Sequence, residues 1–351
     1  VEPEAVKTIA LKILLEHSVK VLFYSFCADV IMDGDVIKSV VIESKAGREI
    51  VNAKVVIDCS GDADVAFKAG VHCDYGDEDG GVQPPTLMFC MGNVDTEKLR
   101  LSITNEPRTY LTDFIPSEYF GQNNQFILVG LRNFMAKAKE DGLNLTTERT
   151  IVITGLRKGE AWINMTRVNG VNGTDPESLT QGEIEARKQI EDIIIYLTKY
   201  VPGFEESYFV KTAPFLGIRE TRRIRGLYTM TKDDILGQRR FDDVIAVASY
   251  PIDIHHPVGG GCTLEWSGDS YDIPYSSLLP QGVVNLIVAG RSISSTHEAM
   301  SSIRVMATCM AMGEAAGRAA KISVEENIPL KDINVKKLQA EIVDNGGYLT
   351  K

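Results

Sequence analysis

Only five histidines occur in 351 residues, and two are adjacent, His255 and His256, in the segment YPIDIHHPVGGG. Side chains that are neighbours on an extended strand face opposite ways. One of the two, expected to be His255, is therefore placed to transfer a proton near neutral pH, and the other is structural. Asp253, His255, His256 and Cys262 together also suggest a metal site, but adjacent strand residues are badly placed to share one ion. A metal-dependent hydrolase or lyase built on the His255/His256 region stays open as an alternative, and no metal ligand is assigned. His297 is a second candidate for proton transfer, or simply a residue at the start of a helix. The segment LGIRETRRIRGLYTMT carries Arg219, Arg222, Arg223 and Arg225. In an extended chain Arg219, Arg223 and Arg225 share a face and Arg222 opposes them. An arginine fork recognises a carboxylate or phosphate. Four arginines cannot all be buried unpaired, so at least two are expected to be solvated or salt-bridged.

The composition bounds what these residues can serve. The formal net charge of −11 argues against non-specific nucleic-acid binding. No apolar run approaches the ~20 residues that span a bilayer. The six cysteines form no CxxC pair, so neither a zinc ribbon nor an iron–sulfur cluster is suggested, and buried free thiols in a reducing cytoplasm are the expectation. No signal peptide is evident, although the sequence starts at Val1. The length suits two domains, or one with an inserted lobe.

Several elements must position the candidate residues. Residues 4–16 (EAVKTIALKILLE) show helical spacing. Three β-rich segments follow, with turns at Asp33-Gly34-Asp35 and Lys45-Ala46-Gly47. They predict a three-stranded meander whose last strand runs to Ile57. A short helix through Phe67 and Lys68 is expected, and capping it is the alternative to a cofactor role for Asp62 and Asp64. Further strands are expected at 86–91 and 125–129, a helix at 131–141, and a hairpin turning at Lys158-Gly159. An amphipathic helix over Thr180–Tyr200 would start from a capping box, Thr180 to Glu183. Near the C-terminus, the apolar run 283–289 reads as a strand buried on both faces, broken by Gly290-Arg291. One long helix is expected from about Glu298. Gly313 and Gly317 share a face of it, and close approach by a neighbour would explain two glycines in a helix interior. A tightly packed core helix accounts for that pattern equally well.

The stretch AGRSISSTHEAMSSIRVMATCMAMGEAAGRAA resembles the C-terminal flavin-binding segment of the FAD-dependent oxidoreductase family related to the glutathione-reductase-like flavoproteins. The ending Ile57-Asp58-Cys59-Ser60-Gly61-Asp62 resembles the family's second marker, and R-E-T-R-R-I-x-G and N-M-T-R resemble it as well. The resemblance implies FAD as cofactor, contacted by Ser60, Gly61, Asp62, Gly290 and Arg291. Ile303, Arg304, Val305 and Met306 would lie near the isoalloxazine, where a helix N-terminus stabilises negative charge. It favours recognition of a substrate carboxylate or cofactor phosphate by Arg219 and Arg222, beside His255 and His297 as the candidates for proton transfer.

The resembled family carries a glycine-rich βαβ fingerprint that is expected before residue 1, since no G-x-G-x-x-G follows a first strand here. The implied fold is α/β with α+β character: an incomplete FAD-binding domain of glutathione-reductase type with an inserted mixed-sheet substrate domain. The expected ranges are 1–75 and 276–325 for the flavin domain, 76–275 for the substrate domain and 326–351 for a peripheral helical tail. The implied function is hydride transfer between a small, anionic or polyhydroxylated substrate and flavin N5. A flavin-free, catalytically silent fragment is the alternative. A small-molecule substrate is the expected partner, with no nucleic acid and no membrane span, and a homo-oligomer is left open.

Overall fold

The computed structural model describes residues 2–349. The architecture is mixed α/β, and the chain divides into two compact units. One holds residues up to 21, 84–218 and 256–261; the other holds 22–83, 219–255 and 262 onward. These divisions run differently from the expected ranges: the helix Pro3–Glu16 clusters with the first unit and residues 219–255 with the second.

The first unit is built on a five-stranded antiparallel sheet. Its spatial order is Tyr208–Thr212, Phe89–Gly92, Ala161–Ile163, Thr150–Thr154, Ile127–Gly130. Phe89, Met91, Leu128, Val152 and Ile163 form one core with Ile190, Ile193 and Leu197 of the helix Pro176–Tyr200. That helix starts four residues before the expected capping box. Asp175 is its cap, accepting Ser178 N–H at 2.7 Å, and Pro176 occupies the first turn, where a missing N–H costs nothing. Thr180 instead donates back to Pro176 O. The helix Pro3–Glu16 forms as expected, but none of its residues is buried.

The second unit contains the meander Phe26–Asp33, Val36–Ser44, Gly47–Asn52, antiparallel in that order. Its third strand ends at Asn52 and does not continue to Ile57. A separate strand, Val56–Asp58, pairs in parallel with Leu286–Val288, Val56 opposite Leu286. Asn285 ties the meander to this pair. Its Oδ1 accepts Ile37 N–H at 2.9 Å, while its Nδ2 donates to Ile37 O and Lys54 O at 2.9 and 3.0 Å.

The expected long C-terminal helix is two helices, His297–Ile303 and Met306–Glu326. Val305 is extended (φ −75°, ψ 150°), which breaks the hydrogen-bond ladder between them. Met312, Ala315, Ala316, Ala319 and Ile322 bury one side of the second helix. The rest of the chain does not approach Gly313 and Gly317 closely: a Cβ on either would meet nothing within 4 Å. The helix Val335–Asp344 buries Leu338 and Ile342 in the same core.

Candidate functional site

The parallel pair brings the two glycine-containing turns together. Asp58, buried at the end of its strand, accepts Ser60 N–H and Ala66 N–H, each at 3.0 Å. Ser60 Oγ accepts the N–H groups of Asp62 and Asp64 at 3.3 and 3.0 Å. Asp58 and Ser60 thus hold the turn and the start of the helix Asp64–Lys68, and capping does not fall to Asp62 and Asp64. Asp62 reaches across the pair, with its carboxylate 2.7 Å from Arg291 and accepting Thr221 Oγ1–H at 2.6 Å. Gly61 has φ +78°, and a Cβ there would lie 2.9 Å from Arg291 Cζ. Gly290, at φ +104°, has open space where its Cβ would be.

The arginines divide by environment. Arg222 donates to Asp62 O at 2.8 Å, pairs with Asp64 at 2.5 Å and lies 4.4 Å from the Phe67 ring centre. Arg223 and Arg225 do not share an environment as the alternation predicted, because the strand Arg222–Ile224 ends between them. Arg223 is buried against Glu220, Ser295 O and Gly76 O; Arg225 is exposed and pairs with Asp74. Arg219 sits near enough to Asp253 and His255 for its charge to act on both.

The strand Ile252–His255 forms a hairpin with Cys262–Glu265, and side chains cover its other edge. Asp253 N–H donates to Ser301 Oγ, Arg304 donates to Asp253 O, and His255 N–H donates to Gln83 Oε1. His255 Nε2 lies 3.7 Å from the Asp253 carboxylate. Burial pushes the His255 pKa down to about 4, with the charges of Arg219 and Arg304 adding to burial and Asp253 opposing it. Burial acts to raise the Asp253 pKa, but His255, Arg304 and Arg219 together hold it below the usual range. At neutral pH His255 is therefore an uncharged imidazole. The carbonyls of His256 and Gly261 accept hydrogen bonds from Arg167 within the first unit. Among the described residues, no group of three or more His, Cys, Asp or Glu could hold a metal ion.

His297, at the start of its helix, places Nδ1 2.9 Å from Glu220 Oε1. The Glu220 carboxylate also binds Arg223 and accepts Gln83 N–H at 3.0 Å. Sequence reasoning missed Glu220. The available signal was a lone acid inside a run of arginines, where it serves as their internal counter-ion. Gln83, just ahead of Pro84-Pro85, is buried and bonded at both its backbone N–H and its amide oxygen.

Four buried polar atoms at these segments have no hydrogen-bond partner: Gln83 Nε2, Arg291 Nε, Ser292 Oγ and Arg304 Nε. Burial also lowers the Arg304 pKa. Ile303 is buried, whereas Met306 is exposed at the first turn of a helix that no side chain caps. Unspent donors, an uncapped helix end, an exposed apolar side chain and an open Gly290 suit a large planar, hydrogen-bonding, anionic cofactor.

Residues 1–342 match the family described as FAD dependent oxidoreductase, and the chain belongs to that family, whose cofactor is FAD. No curated protein matches it. Among solved structures it is similar to p-nitrophenol 4-monooxygenase from Pseudomonas putida, with 11% identity, 94% of this chain and 56% of that one covered, and a TM-score of 0.44. A geranylgeranyl bacteriochlorophyll reductase-like protein from Thermoplasma acidophilum gives 12% identity, 92% and 54% coverage, and a TM-score of 0.41. L-proline dehydrogenase from P. horikoshii gives 11%, 99% and 60%, and 0.40. The chain thus spans little more than half the length of these structures. Among the described residues no helix is long and apolar enough to cross a membrane.

Proposed function

We propose that the second unit is the flavin-binding part of an FAD-dependent oxidoreductase of glutathione-reductase type, and that the first is its substrate domain. The carrying observation is the Asp62–Arg291 ion pair over Gly61, which joins the two segments expected at the cofactor. FAD, when bound, supplies the two-electron acceptor for a hydride leaving the substrate. Ser60, Gly61, Asp62, Gly290 and Arg291 would hold it at one end. Ile303, Arg304, Val305 and Met306 would hold it at the other, with the uncapped helix start beside negative charge. Arg219 and Arg304 favour a substrate with anionic character near His255, since the positive charge of both acts on that residue. Arg222 serves the turn rather than the substrate, because Asp62, Asp64 and Phe67 already occupy its guanidinium. A histidine of the second unit, His255 or His297, moves the substrate's proton.

The test is an absorbance spectrum after incubation with FAD and desalting, recorded for this chain and for a form extended by a glycine-rich βαβ unit. Flavin bands retained by either form support the reading; retention only by the extended form assigns the pyrophosphate grip to that unit. Bands retained by neither overturn it. An Arg291→Ala variant that retains flavin as well as the parent would remove the residue assignment while leaving the family untouched.

A further inference from the structure

Two histidines compete for the proton step, and one buried carboxylate distinguishes them. The Glu220 side chain has no exposure, and three groups converge on it: His297 Nδ1 at 2.9 Å, Gln83 N–H at 3.0 Å, and the Arg223 guanidinium. Arg223 is always charged. Its other bonds are to the neutral carbonyls of Ser295 and Gly76, so among the described residues the one carboxylate bonded to it is Glu220. An ionised carboxylate accepts hydrogen bonds and donates none. The proton in the Glu220–His297 contact is therefore on Nδ1. A neutral imidazole with its proton on Nδ1 presents a lone pair at Nε2, and Nε2 has no partner among the described residues.

Gln83 extends the frame. Glu220 holds its backbone N–H, and its amide oxygen takes His255 N–H at 3.1 Å. The carboxylate that orients His297 thus also fixes the strand that carries His255. His255 itself is a poor base: its Nε2 faces Asp253, and its low pKa leaves little proton affinity near pH 7.

We propose that Glu220 is a positioning residue that fixes His297 as the Nδ1–H tautomer, making His297 Nε2 the proton acceptor for a substrate oxidised at a CH–OH or CH–NH carbon. This rests on the oxidoreductase reading. As the hydride leaves carbon for the oxidant, the O–H or N–H bond breaks. Its electron pair stays to form the new C=O or C=N bond, and the proton forms the Nε2–H bond. The resulting imidazolium is stabilised by the Glu220 carboxylate at its other nitrogen, the geometry of a carboxylate-oriented histidine base.

The tautomer is readable without substrate or flavin. Long-range 1H–15N spectra of the side chains in the unmodified protein resolve its five histidines, and His297→Gln assigns the signal. The expected result is protonated Nδ1 and unprotonated Nε2, favoured by about tenfold or more, the scale of one charge-assisted hydrogen bond. A protonated Nε2 overturns the proposal. Glu220→Asp keeps a counter-ion for Arg223 but shortens the reach to His297. In that variant the tautomer ratio is expected to fall several-fold, with the fold intact by circular dichroism. An unchanged ratio overturns the positioning role. Flavin bands absent from both this chain and its extended form, alongside an Nδ1–H tautomer, would remove the oxidoreductase reading and leave the Glu220–His297 pair standing.

Discussion

The guanidinium of Arg291 lies 2.7 Å from the Asp62 carboxylate and directly over Gly61, so close that a Cβ on that glycine would be 2.9 Å from Arg291 Cζ. Two independent constraints therefore select glycine at position 61, the positive φ of +78° and the space that Arg291 occupies. Gly61→Ala should displace Arg291 and cost about 1–3 kcal/mol, the scale of one strained backbone residue. The check is a thermal melt paired with a flavin-retention assay. Gly290→Ala shares the positive φ but meets open space. It should lose stability through strain alone, and a larger loss at 290 than at 61 would sink the account.

Asn285 is the second residue on which the flavin-side architecture depends. It satisfies three backbone groups of the meander and its exit, at Ile37 and Lys54, from the start of the strand Leu286–Val288. Replacing it with alanine leaves buried backbone polar groups unpaired, at about 1–3 kcal/mol for such a loss. Asn285→Ala should lower the melting temperature and speed hydrogen exchange at the Ile37 amide. Asn285→Asp keeps the acceptor but not the donor, so it should protect the Ile37 amide and still destabilise. Equal exchange at Ile37 in all three proteins would rule out the clamp.

What the sequence could and could not reveal follows from the range of each interaction. The meander, the hairpin at Lys158-Gly159 and the helices expected at 4–16 and 131–141 were legible because period and turn residues act locally. The parallel pair was not: Val56 and Leu286 meet from opposite ends of the chain, and their runs look like any buried strand. The break at Val305 carries no Gly or Pro to mark it, and composition there favours helix throughout. The helix ending at Tyr200 starts from Asp175-Pro176 and not from the capping box at Thr180, because the Asp175 side chain and Pro176 already form its first turn upstream. At the site, the sequence singled out each arginine but not its partner. Glu220, Asp62 and Asp64 became visible as partners only once the chain had brought them together.

Acid should weaken the second unit through His255. Its pKa of about 4 lies below the ordinary 6.5, so the unfolded chain binds the proton more readily. The stability it allows is intact above about pH 6.5 and is lost as pH falls from there towards 4, by up to about 3 kcal/mol. Asp253, whose pKa is lowered, adds a loss only at more acidic pH. Melting temperatures of the parent and of His255→Gln, taken from pH 7 to pH 4, should converge as the pH falls, because the variant has no imidazole to protonate. Parallel curves would show that His255 is not buried as an uncharged ring.

The helix that follows the break at Val305 offers a test in the opposite direction. Gly313 and Gly317 sit in the interior of Met306–Glu326, yet a Cβ on either would touch nothing within 4 Å. Glycine there costs about 1 kcal/mol relative to alanine through backbone entropy. With no contact in the chain to lose, Gly313→Ala and Gly317→Ala should each raise the melting temperature by about 1–2 °C, and the pair should be additive to a first approximation. The two substitutions lie one turn apart on the same face, so they probe one strip of surface. A fall in melting temperature would mean that another surface packs against that strip in solution. In that case the glycines would be selected for close approach after all, and crosslinking from Glu314 or Arg318, which flank them, would identify what lies there.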